Sequence, residues 1–199
     1  MKQRMIRQRA PAQALVEFAL AATLIFTLLS AVVDLGLIYF TMQALRVAAQ
    51  EGATYGSYPK PVFVNGQMIR VDLDYSGIVY RVYGAGGEQT GGFANLRDLN
   101  NNGLDDLNVD RLHDRMNADP NAYIYIENLK GSDPESLSSL GCRGDTKGDG
   151  LQNGGKGCWI RVTVRYNYRF LFPFSPSFAK TVQLHATHLM PVRSSFYTY

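Results

Sequence analysis

A run of apolar residues from Ala14 to Phe40 is interrupted by only two charges, Glu17 and Asp34. Between them the sixteen residues Phe18–Val33 contain no charge, no Gly and no Pro. As a helix rising about 1.5 Å per residue, those sixteen cover roughly 24 Å and the whole run roughly 40 Å, against a bilayer hydrocarbon core of about 30 Å. Lys2, Arg4, Arg7 and Arg9 precede the run with no acid among them. A basic block before an apolar run has the form of a membrane-targeting segment and sets it apart from a buried core helix. Basic residues stay on the cytoplasmic side, so residues 1–12 are expected inside and the C-terminal bulk outside.

The charge balance follows from the same block. The chain has 199 residues, 20 Lys+Arg and 17 Asp+Glu. Without the four leading basic residues, 16 basic and 17 acidic side chains remain, a net charge of −1. That remainder offers no electrostatic match for nucleic acid. A hydrophobic fraction of 46% with 19% charged residues excludes intrinsic disorder and fits one domain with an appendage.

A removable secretory signal needs a short apolar region ending at a small-x-small site. Here Leu35, Leu37, Ile38, Tyr39 and Phe40 continue the apolar pattern, and Met42, Leu45, Ala49 and Gly52 then form a narrow stripe at helical spacing. One helix from about Ala14 to Tyr55 is predicted, ended by Gly52, Gly56 and Pro59.

A carboxylate inside the start of a membrane helix is costly unless it lies at the interface or is paired. For Glu17, cutting the chain after Ala12 would create a partner, the new α-amine of Gln13 in the same helix or in a staggered neighbour. Asp34 lies seventeen positions further on, about 25 Å along the helix and near the outer interface. It reads either as a hydrated interfacial acid or as an inter-subunit contact, for example to Arg46 of a neighbour.

The string Gln13-Ala-Leu-Val-Glu17-Phe18-Ala-Leu resembles the start of the TadE-like pseudopilins and minor pilins of tight-adherence (type IVb) pilus systems. The short basic leader, a small residue at the cut, Glu at the fifth mature position and an apolar helix are similar to the family's class III leader. Ala12 stands where that family usually has Gly. Asp34-Leu-Gly36 and Gln43–Ala53 are similar to further family stretches, and Val162–Tyr166 and Thr181–Thr187 are similar to its closing strands. The resemblance implies an α+β, pilin-like fold: a leader over 1–12, an assembly helix over 13–56 and an extracytoplasmic domain over 57–199, with an insertion at about 84–157. It also implies cleavage between Ala12 and Gln13 by a prepilin peptidase, and assembly through Glu17, Phe18 and Asp34. The implied partners are membrane lipid, other pilin or pseudopilin subunits, a secretion ATPase and membrane platform proteins, in a homo- or hetero-oligomer.

The exterior region reads as α+β. Val62-Phe-Val64, Asn65-Gly66 and Gln67–Tyr75 form a hairpin signal, and Ile78–Tyr83 reads as another short strand. Ala122–Glu127 is a further strand candidate. In Ile160–Phe172, Ile160, Val162, Val164, Tyr166, Tyr168, Phe170 and Phe172 share one parity, while Arg161, Thr163, Arg165, Asn167 and Arg169 share the other. This is a half-buried antiparallel strand with a basic outer face. Its aromatic row continues an aliphatic one, so core packing outweighs a stacking platform for bases or sugars. Thr181–Met190 is the last strand. His185 and His188 have opposite parity there and would not share a metal.

The Gly-rich stretch Gly84–Gly92 lacks the Lys-Ser/Thr ending of a phosphate loop. Asp98-Leu-Asn100-Asn-Asn102-Gly103-Leu104-Asp105-Asp106 places oxygen ligands at positions 1, 3, 5 and 9 of a calcium loop, with Leu104 offering its carbonyl and Gly103 the turn. Val109 occupies position 12, so Asp110 or Asp105 would have to close the shell of a structural Ca²⁺. The competing reading is a plain Asn/Asp turn cluster before a helix. Asp145–Gly150 is a weaker echo with Lys147 at a ligand position. Cys142 and Cys158 bracket fifteen residues rich in Gly, Asp and Lys. In an oxidising compartment they favour a disulfide, worth roughly 3 kcal/mol in the chain-entropy picture.

No nucleophile–base–orienter set stands out, so a non-enzymatic pilin-type subunit is expected. The alternative is a membrane-anchored extracytoplasmic, calcium-dependent adhesin or binding module with an uncleaved anchor. An exterior hydrolase has no supporting residues beyond scattered acids.

Overall fold

The computed structural model describes residues 9–85, 94–106, 120–131, 133–137, 157–171 and 181–193. Helix α1 spans Arg9–Gly56. It is followed by strands β1 (Lys60–Val64) and β2 (Gln67–Asp72), helix α2 (Tyr75–Gly84), and strands β3 (Ile124–Lys130), β4 (Cys158–Arg169) and β5 (Thr181–Pro191). A long apolar N-terminal helix followed by an antiparallel three-stranded sheet is an α+β fold.

Two compact units divide the chain. One comprises residues 1–39 with 170–180, and the other residues 40–169 with 181–199. In the first unit α1 is apolar and outward-facing: Leu15, Phe18, Leu20, Leu24, Phe26, Leu28 and Leu35 are all exposed. Ala12–Gly56 contains a window of mean hydropathy 2.2, long and apolar enough to cross a membrane.

In the second unit the last turns of α1 bury Thr41, Leu45, Ala48, Ala49 and Ala53. These lie on one helical stripe with Gly52 and Gly56, and small side chains there let the helix approach its neighbours closely. A Cβ on Gly56 would lie 2.3 Å from Ile160 Cδ1, and one on Gly52 would lie 2.6 Å from Val82 Cγ2. The sheet side of this core comes from one parity of β4 (Ile160, Val162, Val164, Tyr166 and Tyr168) together with Ile124 and Ile126 of β3. The aromatic row therefore belongs to the core as far as Tyr168, and β4 ends at Arg169.

The sheet order is β3-β4-β5, all antiparallel, with Ile126 opposite Val162 and Val162 opposite His188. On the opposite parity Thr163 and Thr187 are paired in register, and their hydroxyls meet at 3.0 Å. Arg161 reaches Glu127 across the β3–β4 ladder at 3.1 Å. Strands β1 and β2 form a separate two-stranded sheet. Their turn puts Asn65 at φ 51° and Gly66 at φ 80°, the left-handed pair that a two-residue hairpin requires.

Ile78–Tyr83, expected as a strand, is helical. Ile78, Val79, Val82 and Tyr83 are buried, and that spacing is one face of a helix. Asp74 starts it by accepting the Gly77 N–H at 3.0 Å, an N-cap that a strand has no use for. Asp74 also accepts from the Tyr55 hydroxyl at 2.8 Å and pairs with Lys60. This links the end of α1, the start of β1 and the start of α2.

Candidate functional site

Two regions carry the residues singled out by sequence, the exposed part of α1 and the Asp98–Asp106 loop. At the helix start, Ala12, Gln13, Glu17 and Phe18 are all exposed. Glu17 Oε1 accepts from Gln13 Nε2 at 3.2 Å, one helical turn away. Among the span's polar side chains, Thr23 donates to the Ala19 carbonyl, Thr27 to that of Thr23 and Ser30 to that of Thr27, each at 2.8 Å. Helix hydroxyls satisfied in this way present little unmet polarity to an apolar surround.

Asp34 sits differently from Glu17. It is 6% exposed, and its Oδ1 accepts the backbone N–H of Leu171 at 3.1 Å. The acid is held within its own chain by the segment that follows β4. Sequence spacing places Asp34 along the helix but not against a residue 137 positions away. The one available signal was the apolar Phe170–Phe178 segment, which has no charge and lies between two strands.

In the second unit, the Asp98–Asp106 loop is folded around its own backbone N–H groups. Asp98 Oδ1 accepts from Asn102 N at 2.9 Å and its Oδ2 from Gly103 N at 2.8 Å. Asn100 Oδ1 accepts from Asn102 N at 3.0 Å, and Asn102 Oδ1 from Leu104 N at 2.8 Å. Gly103 has φ 91°, so the turn at loop position 6 is left-handed. Asp98 and Asp106 are buried, and Asp106 Oδ2 accepts the Leu99 N–H. The Leu99 carbonyl in turn receives the Asn167 N–H at 2.8 Å, tying the loop to β4. Asp105, one of the two residues considered for closing a cation shell, is ion-paired with Arg97 at 3.5 Å. Asp110, the other, lies outside the described residues. Among the described residues no group of three or more His, Cys, Asp or Glu is placed to hold a metal. The oxygens the loop brings together are those of two carboxylates, Asp98 and Asp106, and of the Asn100 and Asn102 amides, and all four side chains accept backbone N–H groups of the loop itself.

Cys158 is buried at the start of β4, opposite Lys130. Cys142 lies outside the described residues. His185 and His188 fall opposite Arg165 and Val162, on different faces of β5.

No curated protein and no solved structure matches the chain. The family model described as TadE-like protein matches residues 12–54. That segment begins at the residue expected to precede the cut and ends in the stripe packed against the sheet. Over this helix, which carries both the outward apolar surface and the closest packing to the core, the chain is similar to the TadE-like proteins.

Proposed function

We propose that the chain is a non-enzymatic pilin-type subunit of a tight-adherence (type IVb) pilus or of its initiation complex. A prepilin peptidase trims it between Ala12 and Gln13. Its α1 then leaves the bilayer to pack with other pilin or pseudopilin subunits, and the resulting structure supports surface adherence. Before assembly the chain is single-pass in the cytoplasmic membrane, with its N-terminus inside and the C-terminal domain outside.

The observation that carries this reading is the coincidence of the family match over 12–54 with an outward-facing apolar helix whose first acid is Glu17. In the uncut chain Glu17 has the Gln13 side-chain amide as a neighbour. Cleavage adds a positive α-amine on that same residue, which strengthens the partner available to the carboxylate in an apolar setting. Ala19, Ala21, Ala22, Ala31 and Gly36 allow close helix contact. The proposed machinery includes a secretion ATPase and membrane platform proteins.

Two finer features complete the proposal. The Asp98–Asp106 loop binds a structural Ca²⁺ through Asp98, Asn100, Asn102, the Leu104 carbonyl and Asp106, supported by its buried carboxylates and left-handed Gly103 turn. Cys142 and Cys158 form a disulfide closing the insertion.

The test is the intact mass and N-terminal peptide of the protein from native membranes and from sheared surface filaments. A start at Gln13, with the protein present in filaments, is expected. A start at Met1 in both fractions would overturn the reading and favour a permanently anchored, calcium-dependent adhesin.

A further inference from the structure

Asp34 fixes the position of a second piece of chain along the helix axis. The charge-free residues Phe18–Val33 occupy about 24 Å of helix, and Glu17 and Asp34 lie about 25 Å apart. A hydrocarbon core of about 30 Å therefore puts both acids at or just inside its two boundaries. Leu171 donates its backbone N–H to Asp34 at 3.1 Å, so Leu171 shares the depth of Asp34. The Leu171 side chain is 66% exposed. At that level α1 exposes Leu35 (66%) and Tyr39 (60%), an apolar residue and an aromatic one with a polar tip. Tyr is the side chain favoured where hydrocarbon gives way to headgroups. The sequence has no charged residue from Phe170 to Ala179.

We propose that the chain just past β4 makes a second membrane contact at Leu171, which, tethered to Asp34, inserts its side chain into the outer boundary of the same bilayer that α1 spans. The partner is lipid, because the exposed Leu171 surface is continuous in depth with the lipid-facing surface of α1. The tether also answers the cost of placing a carboxylate at that depth, since Asp34 is buried and accepts an N–H instead of facing hydrocarbon. This rests on the reading of α1 as a membrane span.

The experiment uses the full chain, unmodified, in phosphatidylethanolamine/phosphatidylglycerol vesicles containing a lipid with a photoactivated diazirine on the upper acyl chain. Adducts are mapped by mass spectrometry, with fragmentation of the tryptic peptide after Arg169 resolving Leu171. Labelling is expected both within Phe18–Val33 and on Leu171. Labelling of the span without Leu171 would overturn the inference and leave the span reading intact, whereas labelling of neither would remove the span reading too. In Asp34→Leu the span signal should persist while that on Leu171 falls about fivefold, the factor that one hydrogen bond of ordinary net strength confers. Undiminished labelling of Leu171 in that variant would overturn the tether.

Discussion

Ile160 Cδ1 occupies the space that a side chain on Gly56 would need, only 2.3 Å from where its Cβ would lie. Ile78 presses on the same point, with Cδ1 at 2.9 Å. The final turn of α1 is therefore in backbone contact with side chains of both β4 and α2. Gly56→Ala should destabilise the domain by about 1–3 kcal/mol, the usual cost of overpacking, despite the better helix propensity of Ala. Thermal unfolding of the detergent-solubilised chain, followed by near-UV circular dichroism, measures it. An exposed control, Gln50→Ala, should change stability by less than about 0.5 kcal/mol.

Asp74 links acid sensitivity to the same junction. Its hydrogen bond from the Lys60 ammonium holds its carboxyl well below the usual carboxylate range, partial burial opposes this, and the Gly77 N–H, Tyr55 hydroxyl and Ser76 hydroxyl add to the lowering. A carboxylate depressed in the folded state contributes stability above its unfolded pKa of about 3.9 and loses it as pH falls toward the folded value. Asp74→Asn keeps an N-capping oxygen but removes the charge. The gap in melting temperature between wild type and Asp74→Asn should be full at pH 5–7 and close as pH falls below about 4. A gap that does not change with pH would refute the assignment. Asp74→Ala, which also loses the cap, should cost about 1 kcal/mol more.

Calcium should stabilise the chain through the Asp98–Asp106 loop. For an extracellular-type site with Kd near 10⁻⁴ M, Ca²⁺ at about a hundred times Kd adds about 2.7 kcal/mol to unfolding. Mg²⁺, which keeps its waters and demands stricter geometry, should add far less. Asp98→Ala should abolish the calcium increment. Melting curves with and without millimolar Ca²⁺, paired with calorimetric titration, decide the matter. No heat and no shift would leave the loop as a turn cluster.

Reduction should destabilise the domain by roughly 3 kcal/mol if Cys142 and Cys158 are joined. Thiol counting on the unfolded, non-reduced protein should find no free thiol, and the Cys142→Ser/Cys158→Ser variant should lose its response to reductant. Two free thiols in protein from the exterior compartment would refute the pairing.

Much of the architecture was legible because its periodicities are strong. The apolar run marked α1, Asn65-Gly66 marked the β1–β2 turn, and the alternating rows in Ile160–Arg169 marked a half-buried strand. α2 was not legible as a helix: Ile78, Val79 and Tyr80 form a short apolar run, which periodicity alone does not assign. The decisive cue, Asp74 as a cap, resembles the polar residues that also alternate in a strand. The spacing of oxygen-bearing side chains in Asp98–Asp106 was legible, and so was the need for a left-handed Gly103. The role of Asp34 was not, because its acceptor duty depends on tertiary return of the chain. Asp110 and Cys142 lie outside the described residues, so their roles rest on the sequence.

The small-residue stripe of α1 divides the mutational behaviour of a single helix. On the stripe from Thr41 to Gly56 one added methyl group meets the chain's own core, and its effect should appear as misfolding and loss of protein. Upstream, where Leu15, Phe18, Leu24, Phe26, Leu28, Leu35 and Tyr39 face outward, apolar exchanges at those positions should, on the proposed function, alter association with neighbours rather than that core. A deep mutational scan scored separately for protein abundance and for filament yield should therefore change its dominant phenotype within about one turn of Phe40. If the upstream face is the one that meets partners, the same boundary is where sequences could diverge to recognise different partners without relearning how to fold.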